Sequence, residues 1–419
     1  MSDMSKVKEK QTVYLVGIGM GNAGTLTCAA EEILKTCDCL IGARRMADSL
    51  IRFEKPIFPI YKPQEIHECI QKHQMYQKIA IVLSGDPGFY SGAKKIMAEL
   101  AEYSVYMIPG VSSISYLASR LGTSWEDGRL ISVHGRWQNY IQIIAHNRKN
   151  FLLLDQANSG RDICEKLNYY GLGDVNVTIG KNLSYENEEI IVKKGSELIP
   201  EDFWGLCVAM IENPNANPHV CRHIKAEEFI RGKVPMTKDE VRAVSLAKLE
   251  LSKDAVLYDV GSGTGSVAIE AALQSEYIKV YAVEKNPEGI ALIEQNKQKF
   301  CTDQVTVIEG NAPEALTDLE SPTHVFIGGS SGNLKEILQA VKAKNPDVRI
   351  VMNVISLETM KEVMELVETG AFGEPEIVQI AVSSAQRAGR YHLLTGQNPV
   401  YVITESRKDG AYGKLQGQQ

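Results

Sequence analysis

The 419-residue sequence contains no apolar run near the ~18 residues of a membrane span, so no transmembrane helix is expected. Met1 to Gln11 is charged and polar without an apolar centre, which predicts no secretory signal and a cytoplasmic chain. Eight cysteines are scattered at 28, 37, 39, 69, 164, 207, 221 and 301 without one C-x-x-C pair. In a cytoplasmic chain they read as reduced thiols, and the Cys37-Asp38-Cys39 pair, in a strand-like stretch, reads as packing. His219-Val220-Cys221-Arg222-His223 has no second ligand pair nearby, so no metal is expected. A basic excess is missing too: 45 Lys and Arg stand against 52 Asp and Glu, a net charge of −7. That balance argues against a nonspecific nucleic-acid binder but leaves open an anionic substrate held by a few arginines. Internal repeats and low-complexity tracts are also absent.

What is present is a globular composition, 44% hydrophobic and 23% charged, long enough for two or three domains at roughly 150 residues each. The clearest seam is Asn213-Pro214-Asn215-Ala216-Asn217-Pro218. It predicts domains at 11–213 and 233–405, a linker at 214–232 and a frayed tail at 406–419. On both sides short β-rich runs alternate with helix-like ones, the pattern of α/β domains with ligands at the carboxyl ends of strands. After the seam, strands are expected at 256–260, 279–283, 305–308, 324–327 and 348–354. Two closing strands, 376–383 and 399–404, follow without a helix between them. Five parallel strands and an antiparallel end give a Rossmann-like methyltransferase pattern, not the usual dehydrogenase sheet.

In the second half, Asp259-Val260-Gly261-Ser262-Gly263-Thr264-Gly265 lies between a strand and a helix. Its glycines allow a tight turn and close ligand approach, and the helix start offers N–H groups. Glu284 closes the next strand, placed to accept both hydroxyls of a ribose, and Asn311-Ala312-Pro313 follows the third. This combination resembles the class I S-adenosylmethionine (SAM) methyltransferases. With Pro235-Met236-Thr237-Lys238-Asp239-Glu240-Val241-Arg242 it resembles the cobalamin-pathway precorrin methyltransferases that act at C15 and remove a carboxyl group. The resemblance implies a SAM site at Thr237, Gly261, Ser262, Gly263, Thr264, Gly265, Glu284 and Ala312. The family acid is commonly Asp where this chain has Glu284.

In the first half three loops each follow a strand: Gly17-Ile18-Gly19-Met20-Gly21, Ser84-Gly85-Asp86-Pro87-Gly88 and Pro109-Gly110-Val111-Ser112-Ser113. With Gly42-Ala43-Arg44-Arg45, His134-Gly135-Arg136 and Asn182-Leu183-Ser184-Tyr185 they resemble the tetrapyrrole methylase family, in the branch that methylates the C5 side of late precorrins. The usual loop of that family has Pro where this chain has Met20. The resemblance implies a two-lobed α/β domain with SAM in the cleft between its lobes. Gly85, Asp86, Ser112, Ser113 and Met210 would then lie beside SAM, and Gly17 to Gly21 nearer the substrate.

Together the resemblances imply methylation of a reduced tetrapyrrole at C5 and C15, with loss of the ring-C acetate carboxyl, in cobalamin biosynthesis. Electron-rich meso carbons attack a sulfonium methyl without prior proton removal, so no catalytic base is assigned; placement and desolvation carry the rate. Substrate carboxylates call for arginine forks, for which Arg44, Arg45, Arg136, Arg242, Arg387 and Arg390 are the candidates. A homo-oligomer without nucleic-acid or membrane partners is expected. A tRNA methyltransferase and a non-catalytic SAM-binding regulator remain the alternatives.

Overall fold

The computed structural model describes residues 11–133, 139–154, 159–217 and 223–405. The His134-Gly135-Arg136 motif, residues 219–222 of the His/Cys stretch and the 406–419 tail lie outside them. The chain divides into two compact units. The first comprises Met1–Trp137, Asn147–Glu165 and Gly173–Pro214; the second comprises Gln138–His146, Lys166–Leu172 and Asn215–Gln419.

The first unit holds two five-stranded sheets. Strands β1 (Thr12–Gly17), β2 (Cys39–Ile41), β3 (Ile57–Phe58), β4 (Lys78–Leu83) and β5 (Ser104–Ile108) run parallel in the order β3-β2-β4-β1-β5. Parallel strands are buried on both faces, and alternate residues here feed two separate cores. Val13, Leu15, Ile79 and Ile81 enter one; Val16, Ala80 and Val82 enter the other. Cys37 and Cys39 divide between the same two cores, and burial pushes their thiols up to about 11 and about 12. The second sheet joins β6 (Arg129–Ser132), β7 (Lys149–Leu153), β8 (Asn176–Lys181), β9 (Glu189–Lys194) and β10 (Cys207–Glu212) in the order β6-β7-β10-β8-β9. Only β6 and β7 pair in parallel there; the other neighbours are antiparallel.

The second unit is built on β11 (Val256–Val260), β12 (Lys279–Glu284), β13 (Val305–Glu309), β14 (His324–Ile327), β15 (Arg349–Val354), β16 (Pro375–Ile380) and β19 (Val400–Glu405). The order is β13-β12-β11-β14-β15-β19-β16, parallel through β15, with β19 antiparallel to β15 and to β16. The expected five parallel strands and antiparallel end are therefore present. One element was not expected: between β16 and β19 stand β17 (Ser383–Ala388) and β18 (Tyr391–Gly396), a separate hairpin exposed along both strands. The expected linker also ends early. Ile224 and Phe229 are 2% and 4% exposed and belong to the core of the second unit, because they are apolar residues beside the helix Asp239–Leu249.

Candidate active sites

In the first unit the three glycine loops meet at the carboxyl ends of β1, β4 and β5. Gly19 and Gly85 form an antiparallel bridge, with the Gly85 N–H donating to Gly19 O at 2.6 Å. A Cβ on Gly17 would stand 2.7 Å from Gly110 N and from Gly85 O, so glycine is required where these backbones cross. Asp86 ties the loops together: Oδ1 accepts from the Gly88 N–H at 2.7 Å and Oδ2 from the Gly110 N–H at 3.0 Å. Ser112 caps the helix Ser113–Arg120, its Oγ accepting from the Ser115 N–H at 3.1 Å.

These loops form one wall of a cavity of about 400 Å³, within the usual range of ligand sites. Ser84, Gly85, Asp86, Ser112 and Ser113 line it on that side; Leu153, Gly180, Cys207 and Val208 face it from the second sheet and Leu183 from the turn after β8. Arg45 brings a cation to it. Its Nη1 donates to Tyr185 Oη at 2.7 Å, and the Tyr185 hydroxyl donates to the carbonyl of Met20, another lining residue. The Asn182–Glu188 turn that carries Tyr185 is pinned by Glu188, which accepts from the Ser184 N–H at 2.7 Å and from the Tyr116 hydroxyl at 2.8 Å.

In the second unit the loop after β11 is set by three left-handed glycines. Gly261, Gly263 and Gly265 have φ of 70°, 60° and 78°. A Cβ on Gly261 would lie 2.7 Å from Gly329 O, and one on Gly263 2.7 Å from Pro235 O. Beneath the loop, Asp259 Oδ2 accepts from Ser262 Oγ at 2.6 Å and from the Ala268 N–H at 3.1 Å. Burial pushes this carboxyl up to about 7 against those two bonds, and the nearby Glu284 charge adds to the rise. Glu284 Oε2 accepts from the Gly263 N–H at 2.8 Å, while Oε1 accepts from the Lys285 and Asn286 N–H groups at 2.9 and 2.8 Å. A carboxylate has about four acceptor positions, so Glu284 has room for one further hydroxyl, not the two expected. The cavity here measures about 380 Å³, and its lining includes Val234, Pro235, Gly261, Gly263, Glu284, Lys285, Ala312 and Gly328 to Ser331.

Two family models match the chain in tandem: tetrapyrrole (corrin/porphyrin) methylases over residues 12–199 and a precorrin methyltransferase domain over 228–407. A relative from Pyrobaculum calidifontis, called a probable cobalt-precorrin-6B C(15)-methyltransferase (decarboxylating), is 42% identical and aligned over 45% of this chain and 97% of its own length. The chain belongs to the precorrin methyltransferases. A second member, the precorrin-6Y C(5,15)-methyltransferase [decarboxylating] of Sinorhizobium sp, is 28% identical over 93% of this chain and 94% of its own. A solved precorrin-6y C5,15-methyltransferase from Geobacter metallireducens GS-15 shares 38% identity, covering 44% of this chain and 97% of that one, with a TM-score of 0.42.

The candidates read from the sequence of this family member separate cleanly. Gly85, Asp86, Ser112, Ser113 and Arg45 come together at the first cavity; Gly261, Gly263, Glu284 and Ala312 at the second. Met210 does not reach the cavity: it is 5% exposed and packs with Ile114, Leu117 and Phe151, while Val208, two residues earlier on the same strand face, does line it. Thr237, Ser262, Thr264 and Gly265 shape the second site without lining it. The Thr237 carbonyl accepts from Arg242 at 2.8 Å, the Ser262 hydroxyl serves Asp259, Thr264 is 0% exposed and Gly265 packs on Ile293.

Arg242 is corrected outright. It is 0% exposed, with Nε 3.1 Å from Glu270 Oε1, Nη2 3.1 Å from Asp239 Oδ1 and the guanidinium 5.0 Å over the Phe229 ring. Nη1 and Nη2 are spent on the Thr237 and Ile224 carbonyls and on Asp239, and the whole group is buried, so it is a structural residue, not a substrate ligand. Arg44, Arg387 and Arg390 are exposed and line neither cavity, and Arg136 lies outside the described residues. Lys285, Asn286 and the Gly328-Gly329-Ser330-Ser331 turn were missed. The glycine-rich run directly after β14 was the signal that could have found the last of these.

Proposed function

We propose that the chain methylates C5 and C15 of precorrin-6Y, or of its cobalt form, and removes the carboxyl of the ring-C acetate, a step of cobalamin biosynthesis. The observation that carries this reading is the tandem match of two different methyltransferase families, with one relative named for both methylations aligned along 93% of the chain. The first unit is assigned C5. The second is assigned C15 and decarboxylation, in keeping with the C15 relatives of that length.

SAM is the methyl donor in this reading, and each cavity has a fitting cradle: backbone glycines where a Cβ would intrude, with a carboxylate beside them. When bound, SAM supplies an electrophilic methyl group to a carbon nucleophile. The chain's own residues bind, orient and exclude water, which suffices for a nucleophile that needs no deprotonation. In the first cavity Arg45, braced by Tyr185, is assigned a substrate carboxylate. Arg44, Arg387 and Arg390 are the exposed reserve for the others. Loss of the acetate carboxyl uses the conjugated ring itself as electron sink.

No helix among the described residues is long and apolar enough to cross a membrane, and a cytoplasmic enzyme that does not bind nucleic acid is part of this proposal. So is a homo-oligomer. A two-stranded hairpin is marginal in water by itself, and β17–β18 presents Tyr391, Leu393 and Leu394 at 57%, 58% and 75% exposure. The decisive experiment is incubation of the pure chain with SAM and precorrin-6Y, followed by product mass. Gain of two methyl groups and loss of one CO2 supports the reading; a product with neither change refutes it.

A further inference from the structure

Residues 223–238, between the seam and the helix Asp239–Leu249, form a strap whose backbone is served by side chains from three helices. Ile224 N–H donates to Glu270 Oε1 at 2.6 Å, and its carbonyl accepts from Arg242. Ala226 N–H donates to Asp239 Oδ2 at 3.1 Å. Further along, the helix Pro287–Lys299 takes over. Ile230 N–H donates to Asn296 Oδ1 at 2.8 Å, the Asn296 amide donates to Ile230 O at 3.1 Å, and Lys233 N–H donates to Glu288 Oε1 at 2.7 Å. Glu288, Leu292 and Asn296 are spaced by four, so they stand on one helical face and present a single surface to the strap.

Near the end of the strap, Val234 and Pro235 form a wall of the second cavity, with Pro235 O filling the space where Gly263 would carry a Cβ. Asn296 is 0% exposed, and its remaining N–H donates to Thr264 O at 2.9 Å, inside the glycine loop itself. One buried amide thus fastens strap and loop to each other with both N–H groups and its oxygen engaged. We infer that Asn296 and Glu288 are positioning residues for the cofactor of the second unit: neither lines the cavity, yet together they set the register of the wall against the floor. This rests on reading that cavity as the SAM site of C15 methylation. Loss of either residue frees the strap, so the folded protein must order it again whenever the cofactor binds.

The test uses the full chain and follows both methylations against SAM concentration. Glu288→Ala, an exposed change that leaves folding intact, is expected to raise the SAM KM of C15 methylation about three- to tenfold. Asn296→Ala is expected to raise it about tenfold or more. kcat at saturating SAM should stay within about twofold, because the reacting groups are untouched. The SAM KM of C5 methylation should not move. Glu288→Gln retains an acceptor for the Lys233 N–H and should restore most of the affinity. A purely structural role would instead lower the active fraction, and so kcat for C15, with KM unchanged; that result overturns the inference. Wild-type chain that binds no SAM in the second unit would refute the functional reading and this inference with it. Normal wild-type binding with unchanged variants would refute this inference alone.

Discussion

Replacing Arg242 by alanine removes the cationic half of an ion pair whose partners are both inside, at 0% and 5% exposure. Glu270 keeps the Ile224 N–H at 2.6 Å and the His223 ring at 3.3 Å but loses its guanidinium countercharge, and the carbonyls of Ile224 and Thr237 lose their guanidinium donors. Breaking a buried pair from one side typically costs about 3–5 kcal/mol. For a unit of about 150–250 residues each kcal/mol lowers the midpoint by roughly 2–4 °C, so a fall of about 6–20 °C is expected. Arg242→Lys keeps the charge but cannot span two carbonyls and two carboxylates, and should lose about 1–2 kcal/mol. Thermal unfolding followed by circular dichroism reads the midpoint; steady-state kinetics on the folded fraction read the tetrapyrrole KM. The reasoning is refuted if Arg242→Ala leaves the unfolding transition in place and raises the tetrapyrrole KM, since Arg242 would then be acting on substrate.

Gly263→Ala places a Cβ 2.7 Å from Pro235 O on a residue at φ 60°, so C15 methylation should fail while C5 methylation persists; a normal SAM KM for C15 would show that the strap yields. Arg45→Ala should raise the tetrapyrrole KM of C5 methylation about tenfold with SAM affinity unchanged, and an unaltered KM removes Arg45 from the substrate site. Asp259 gives a pH dependence of definite sign. Burial pushes its carboxyl up to about 7 in the fold, above the ordinary carboxylate range, so the fold retains a proton that the unfolded chain has released. Its contribution to stability therefore declines as pH rises from about 4 to about 7 and is flat above. Urea midpoints of wild type and Asp259→Asn between pH 4 and 8 should converge toward the acid end, and a parallel pair of curves would contradict the assignment.

Apart from the Gly328-Gly329 turn, the parts of both sites made from backbone were readable in advance, because glycine is the one residue whose presence reports where two main chains approach. Gly17, Gly85 and Gly110 announced three loops after three strands, and the loops do meet. The parts made from long side chains were not readable in the same way. Arg242 sits beside acidic residues in a charged stretch, and nothing local distinguishes a guanidinium that turns inward to Glu270 from one that faces solvent. The first part of the strap, residues 223–232, reads as linker because its charged residues and Gly232 have no periodicity. The order of the strap comes from Glu270, Glu288 and Asn296, all far away in sequence. Ser383 to Gly396 escaped notice as a hairpin because an exposed pair of strands has no buried face to impose alternation.

The crossing of Gly17, Gly85 and Gly110 divides the first cavity into two territories with different freedom to be redesigned. On the loop side a Cβ at Gly17 or Gly110 would displace a neighbouring main chain, so a change at either must be made together with the loops it crosses or not at all. On the opposite side, Leu153, Cys207 and Val208 of the second sheet and Leu183 of the turn after β8 present ordinary side chains to the same space. Each can be exchanged singly for a larger or smaller one at the modest cost of repacking. Retargeting this unit to another tetrapyrrole is therefore a problem of four or so substitutions on one wall, with the glycine loops left as they are.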